Sequence, residues 1–191
     1  MKAQRNSAGS VSRGTVWKRA DPPYSKRMHV SWSDLDANGH MRNTAYLDRV
    51  ADVVMHFFAD RGFPAGEFAR LGIGPVVQTE QIEYRREFHL LDPISVRFAL
   101  RGLSDDAARF VFLNEFFHAD GASAARVLTT GGWLDRKARS LVAPPAPLAA
   151  LLRSAPRTVD FQTLPGLADT PRGSRSRPEL GDPDPAPRRA G

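Results

Sequence analysis

The stretch SDLDANGHMRNTAYLDRVADVVMHFF, residues 33–58, decides how the rest of the chain can fold. Its first part is polar and rich in turn-forming residues, and its second part places apolar residues on one face of a helix. That apolar stripe consists of Tyr46, Leu47, Val50, Val53, Val54, Phe57 and Phe58. The spacing predicts a helix of about five turns, with Asn43 as N-cap and with Gly62 and Pro64 at its end.

Strand patterns lie on both sides of this helix. A short strand is predicted over 26–32, with Met28, Val30 and Trp32 on one face. Further strands are predicted over 76–86, 94–103, 109–118 and 124–135. Turn residues separate the last three, at Asp105-Asp106 and Asp120-Gly121. This order predicts an α+β hotdog fold, in which a curved antiparallel sheet wraps around one long central helix. Because such a sheet leaves an open edge, we expect a homodimer or homotetramer.

Length and composition predict one folded unit between two tails. A chain of 191 residues, 41% hydrophobic and 25% charged, has room for one ordinary domain. Residues 1–23 are polar and rich in Ser and Gly, and residues 154–191 repeat Pro, Arg and Asp with little apolar periodicity. We therefore expect a folded domain over 24–153 and disordered tails.

The absence of cysteine excludes disulfides, thiolate zinc sites and a cysteine nucleophile. No stretch approaches the roughly 18 apolar residues of a membrane span, and the first residues lack the apolar core of a signal peptide. These features predict a cytoplasmic protein with no membrane partner.

The positive charge lies mainly outside the predicted domain. A formal net charge of +6 and a pI of about 10.3 raise the question of nucleic acid as a partner. Residues 1–23 hold five basic side chains against one acidic side chain, whereas residues 24–153 hold 16 against 15. A near-neutral domain argues against a nucleic-acid groove.

The polar run before the helix is the densest group of side chains able to do chemistry. It contains Asp34, Asp36, Asn38, His40, Arg42 and Asn43. N–H groups at a helix N-terminus favour a carbonyl oxygen that acquires negative charge, as attack on a thioester requires. A carboxylate beside an imidazole and an amide can orient and deprotonate a water. The run therefore suggests a hydrolytic site centred on Asp36, Asn38 and His40.

Simpler interpretations of this run stay open. Asp, Asn and Gly are turn residues, so residues 33–43 can form a loop and helix cap without chemistry. His40 can equally be a hydrogen-bonded structural histidine. The spacing of Asp34, Asp36 and Asn38 also imitates half of a calcium loop, but the twelfth position, which needs a bidentate Glu, is Ala45. Calcium is therefore not expected.

At this point a family resemblance adds to the residue pattern. SDLDANGHMRNTAYL, residues 33–47, resembles the signature region of the 4-hydroxybenzoyl-CoA thioesterase-like family, whose catalytic Asp falls on Asp36. It is also similar to the D-x-N-x-H segment of the acyl-ACP thioesterases, whose Asp, Asn and His fall on Asp36, Asn38 and His40. The resemblance covers residues 24–147 and implies hydrolysis of an acyl-CoA or acyl-ACP thioester without a cofactor, in fatty acid metabolism.

A second block, IEYRREF at residues 82–88, resembles the LEYRREC-like block of the acyl-ACP enzymes. In those enzymes the Glu after two Arg is implicated in catalysis, which places Glu87 in the site. Phe88 stands where they commonly have Cys, so no thiol assists here. From the residues alone, Glu87 can instead be a solvated strand residue paired with Arg85 or Arg86.

Four residues complete the predicted site as substrate-binding groups: Asn43, Tyr46, Arg85 and Arg86. The two arginines can meet the phosphates of CoA or of a carrier's pantetheine arm, although two Arg on a strand more often make surface ion pairs.

Other chemistries find little support. No metal is predicted, because the other histidines lack metal-ligand spacing with carboxylates: His29, His56, His89 and His118. G-x-S-x-G, P-loop and dinucleotide motifs are absent. The alternatives kept are a hotdog dehydratase or hydratase, whose His-Phe-Pro or Asn-Pro-x-His block is missing, and a non-catalytic protein that binds acyl thioesters.

Overall fold

The computed structural model describes residue 17 and residues 22–169. Its helices and strands in chain order are β1 Tyr24–His29, a 3-10 turn Trp32–Asp34, α1 Asn43–Ala59, α2 Ala65–Leu71, β2 Ile73–Tyr84, β3 Pro93–Ser104, β4 Arg109–Phe117, β5 Ser123–Asp135, β6 Ser140–Val142, α3 Ala146–Arg153 and β7 Arg157–Leu164.

Within these residues, seven strands form one sheet. Its order is β1-β3-β4-β5-β2, with β6 paired to β5 and β7 paired to β3. All pairs are antiparallel except β3 with β7. The predicted α+β architecture, a curved antiparallel sheet on one long helix, is confirmed. The turns predicted at Asp105-Asp106 and Asp120-Gly121 join β3 to β4 and β4 to β5.

Helix α1 packs its apolar stripe against the sheet. The Phe57 ring lies 4.6 Å from that of Phe98 on β3, and both side chains are fully buried. Burial of one such side chain stabilises the fold by roughly 1.5–3 kcal/mol. The predicted helix is therefore confirmed, but its N-cap is Arg42, and Asn43 is its first helical residue.

The first strand ends earlier than predicted. Trp32 begins the 3-10 turn and is 78% exposed, so its predicted place in the strand, on one face with Met28 and Val30, is wrong. The chain leaves β1 because Val30 pairs with the loop between β2 and β3. The Val30 N–H donates to the Asp92 carbonyl, and the Val30 carbonyl accepts from the Leu91 N–H, both at 3.0 Å.

The fold also extends past residue 153. Strand β7, Arg157–Leu164, runs parallel to the end of β3, and the buried Trp17 forms an isolated bridge with Thr158. The predicted domain end is therefore too early. Polar residues occupy most positions of RTVDFQTL, and the apolar alternation is limited to Val159 and Phe161, too short to predict this strand. The remainder of the predicted tails, 1–16, 18–21 and 170–191, lies outside the described residues.

The connection between α1 and β2 contains the short helix α2. Phe68 of α2 stacks on Trp133 of β5, with ring centroids 5.8 Å apart. Gly72 ends α2 in the left-handed conformation, with φ of 63°. In the part of the chain described, no helix combines the length and apolar character needed to cross a membrane.

Candidate functional site

The polar run before α1 folds into a turn that is closed by Asp36. The Asp36 carboxylate Oδ1 accepts the N–H of Asn38 at 2.8 Å and the N–H of His40 at 3.1 Å. The Asp36 N–H donates to the His40 carbonyl at 2.9 Å. Gly39, with φ of 78°, makes the reversal. Asp36 and Asn38 are exposed, and His40 is half-buried.

These bonds keep Asp36 ionised. The N–H of His40, more than that of Asn38, lowers the pKa of Asp36 below its ordinary value of 3.8, and slight desolvation only partly opposes it. The same bonds are made by one carboxylate oxygen, Oδ1. The Asn38 side chain also hydrogen-bonds to this carboxylate, and Asp36 is exposed to solvent.

A buried ion pair anchors the turn to the helix. Asp34 is 5% exposed, and its Oδ2 accepts from the Arg49 guanidinium at 2.5 Å and from the Ser31 N–H at 2.8 Å. The Arg42 N–H donates to the Asp34 carbonyl at 2.8 Å. Asp34 therefore fixes both ends of the loop, and it does so as a structural residue.

The loop between β2 and β3 meets this turn. The main chains of His40 and His89 form an isolated antiparallel bridge, and the Met41 N–H donates to the Phe88 carbonyl at 2.8 Å. As a result, the His40 Nδ1 lies 3.6 Å from the Glu87 Oε2. The structure thus places Glu87 beside His40.

The two neighbouring arginines pair elsewhere. Arg85 contacts Glu83 at 3.3 Å and the buried Glu115 at 3.4 Å, and Arg86 contacts Asp120 at 2.9 Å. The alternative in which Glu87 pairs with one of them is not what the structure shows. The expectation that two Arg here make ion pairs is met.

A polar cleft of about 540 Å³ opens beside Glu87. Its lining consists of Arg85, Arg86, Glu87, His89, Asp92 and His118. Burial, followed by the charge of Arg86, lowers the pKa of His118 below 6.5, so this imidazole is neutral at pH 7. Its ring lies 4.1 Å from that of Phe88.

The remaining predicted substrate-binding residues differ in exposure. Asn43 is exposed at the start of α1. Tyr46 is 2% exposed and packs its ring 5.1 Å from Phe116 and 5.3 Å from Tyr84. This burial raises the pKa of Tyr46 to about 12. Tyr46 is thus a core residue under the site, and its predicted contact with substrate gains no support.

Sequence reasoning missed His89 and Asp92. His89 was expected to lack metal-ligand spacing in the sequence, whereas in the structure one ligand atom each of His40, Glu87 and His89 lies within 4.8 Å of the others. The signal available in the sequence was the short spacing Glu87-x-His89. Their approach to His40 depends on tertiary contact and could not be derived from that spacing.

A family model described as the thioesterase-like superfamily matches residues 30–153. The chain belongs to this superfamily. The family predicted from the two motif blocks is therefore confirmed. No curated protein gives a significant match to the chain.

Solved structures agree with this assignment at the level of the fold. A hypothetical protein from Staphylococcus aureus, in complex with CoA, matches with a TM-score of 0.64 and 18% identity, over 82% of this chain and 92% of that one. The 1,4-dihydroxy-2-naphthoyl-CoA thioesterase from Synechocystis matches with a TM-score of 0.63 and 16% identity, over 69% and 96%. A gentisyl-coenzyme A thioesterase matches with a TM-score of 0.59 and 21% identity, over 65% and 98%. The likeness confirms the hotdog fold of this thioesterase-like protein.

Proposed function

We propose that this thioesterase-like protein hydrolyses an acyl thioester to a free acid and a thiol. The observation that carries the proposal is the meeting of His40 and Glu87, 3.6 Å apart, beside the Asp36 turn at the start of α1. Two separate segments of the chain thereby bring an imidazole and a carboxylate together, and the Asp36 carboxylate accepts the main-chain N–H of the same histidine.

Asp36 is the proposed catalytic carboxylate. Because its pKa is lowered, it is an anion at neutral pH, and its Oδ2 can hold and deprotonate a water or attack the thioester carbonyl itself. In either route the carbonyl carbon gains an oxygen that comes finally from water, and the C–S bond breaks. The departing sulfur takes one proton and leaves as a thiol.

Asn38 and His40 have positioning roles in this proposal. The His40 ring, oriented by Glu87, would hold the water and pass a proton towards the leaving sulfur. Free N–H groups at the start of an α-helix favour negative charge. Those at the start of α1, next to Asn43, would stabilise the oxyanion.

The cleft beside Glu87 would receive the carrier. Arg85 and Arg86 line it, and guanidinium groups bind phosphates well. Both arginines already contact carboxylates. A phosphate would have to replace these carboxylates as their partner, so its binding would contribute modest affinity. Among the structural neighbours, one is a complex with CoA and two are thioesterases of CoA thioesters, which favours acyl-CoA over acyl-ACP as the substrate proposed here.

We also propose that two copies associate along β2. This strand, Ile73–Tyr84, lies at the edge of the sheet, and it exposes 51% of Val77 and 53% of Tyr84. An edge of this length invites pairing with an identical strand. Light scattering after gel filtration should give twice or four times the chain mass, and a monomer would exclude the association.

A thiol-release assay tests the hydrolase proposal. The purified full chain is mixed with short, long and aromatic acyl-CoA substrates in EDTA, and free CoA is followed with a thiol reagent. Asp36→Asn is the inactivated variant. Asp105→Asn, which changes an exposed Asp in the distant β3–β4 turn, is the matched control. Release of CoA by the wild type and by Asp105→Asn, but not by Asp36→Asn, supports the proposal. Binding of acyl-CoA without release of CoA would make the protein a non-catalytic binder.

A further inference from the structure

We propose that His40, Glu87 and His89 form a binding site for one divalent transition-metal ion of the zinc type, and that occupancy of this site inhibits thioester hydrolysis. The inhibition rests on the proposed function. The binding does not, and it is measured separately below.

The three side chains already lie near the spacing of metal ligands. The His40 Nδ1 lies 3.6 Å from the Glu87 Oε2, and the His89 Nε2 lies 3.9 Å from the Glu87 Oε1. Ligand atoms about 2.0–2.1 Å from a tetrahedral ion are about 3.3 Å from one another. All three side chains retain 37–59% exposure. Their ligand atoms lie within 4.8 Å of one another, so side-chain rotations that bring them closer by up to about 1.5 Å meet little packing resistance.

The donor atoms select the class of ion. Two imidazole nitrogens and one carboxylate oxygen are a common ligand set for zinc, with water in the fourth position. Calcium and magnesium prefer oxygen ligands alone. The site should therefore take zinc and its first-row neighbours, and leave the alkaline-earth ions unbound.

The backbone and a further carboxylate place His89 in the cluster, with its Nε2 on the side of Glu87. The His40–His89 bridge fixes the two main chains, and the His89 N–H donates to the Asp92 Oδ2 at 2.9 Å. That same oxygen lies 3.7 Å from the His89 Nδ1, while the Nε2 faces Glu87. A carboxylate behind one ring nitrogen with the other nitrogen turned to the metal is the usual support for a metal-binding histidine.

Bound metal would occupy the groups that hydrolysis needs. The ion would take the lone pair of His40 Nδ1 and the charge of Glu87, so neither could orient water or carry a proton. Zinc at this position should accordingly lower the rate, and a chelator should restore it.

The binding test uses the full chain without an affinity tag, stripped with EDTA and exchanged into chelator-free buffer. Zinc sulfate is titrated by calorimetry into the wild type, His89→Ala and His56→Ala, a matched control on an exposed histidine of α1 outside the cluster. One ion per chain in the wild type and in His56→Ala, with affinity about tenfold or more weaker in His89→Ala, is the expected result. Equal binding by all three proteins, or no binding by the wild type, would overturn the site.

The inhibition test repeats the thiol-release assay over the same zinc range. Because His89 also lines the cleft proposed to receive the carrier, the rate of His89→Ala in zinc is compared with its own rate in EDTA, and this variant should lose most of the zinc inhibition shown by the wild type. A wild type that binds zinc and keeps its full rate, or that needs zinc for activity, would overturn the inhibitory role. Zinc binding by a protein that releases no thiol under any condition would instead contradict the proposed function and leave the metal site standing.

Discussion

Two aspartates of this protein close turns in nearly the same way, yet only one of them faces other reactive groups. Asp36 accepts the N–H groups of Asn38 and His40 on one oxygen. Asp106 accepts the Ala108 N–H on one oxygen, at 3.0 Å, and the Leu167 N–H on the other, at 2.8 Å.

The electrostatic result is the same at both turns. Burial raises the pKa of Asp106, but the Leu167 N–H and the Ser104 hydroxyl outweigh it and hold that pKa below 3.8, and the pKa of Asp36 is lowered too. A turn with an ionised Asp is therefore no mark of catalysis. The difference lies in the neighbours, because the Asp36 turn carries His40 to Glu87, whereas Asp106 holds the segment that follows β7.

The largest expected effect separates the two aspartates by activity. Asp36→Asn should lower kcat by about 10²–10⁴-fold, the range for loss of an acid–base group, while the fold stays intact. The Asn side-chain oxygen can still accept both turn N–H groups, so the variant removes charge and keeps the turn. Steady-state thiol release measures kcat, and circular dichroism checks that the fold is intact. A variant with wild-type kcat would make Asp36 a turn residue of the same kind as Asp106.

The next largest effect is expected from removing the Asp34 ion pair that anchors the Asp36 turn to α1. Asp34→Ala leaves the Arg49 guanidinium and the Ser31 N–H without their shared partner, which should cost about 2 kcal/mol of unfolding free energy. Urea denaturation measures it. An unchanged midpoint would mean that the Asp34 ion pair does not anchor the loop.

Removing the charge of Asp106 should have a smaller effect, and it should lower the free energy of unfolding without changing kcat. In Asp106→Asn the carboxylate oxygens are replaced by one carbonyl oxygen and one amide, so a turn bond is lost, at a cost of about 1 kcal/mol. The kcat of this variant should equal that of the wild type. A fall in kcat as large as that of Asp36→Asn would remove the distinction between the two turns.

The smallest effect concerns pH. Because the folded pKa of Asp106 is below 3.8, its contribution to stability is fully present above that value and is lost as pH falls through the lowered pKa. Hydrogen exchange of the Leu167 amide, followed by NMR, should show constant protection from about pH 8 to about pH 5 and loss only in stronger acid. Loss of protection already near pH 5 would contradict the lowered pKa.

The helix and the first half of the site were accessible from sequence because both are local. The stripe from Tyr46 to Phe58 repeats at the helical period, and Asp36, Asn38 and His40 lie within one turn of chain. The second half depends on where the β2–β3 loop folds, so Asp92 gave no local signal, and the Glu87-x-His89 spacing by itself did not reveal the approach to His40. Strand β7 was missed for a different reason, since its residues are mostly polar and its pairing with β3 is non-local.

A double-mutant cycle on Asp36 and Glu87 tests most directly whether the turn and the β2–β3 loop form one hydrolytic site. The kcat of thiol release is measured for the wild type, Asp36→Asn, Glu87→Gln and the double variant. If both carboxylates act on the same water through His40, the double variant should be about as slow as the slower single variant. Losses that multiply, or a Glu87→Gln variant with the wild-type rate, would show that the two segments do not act together.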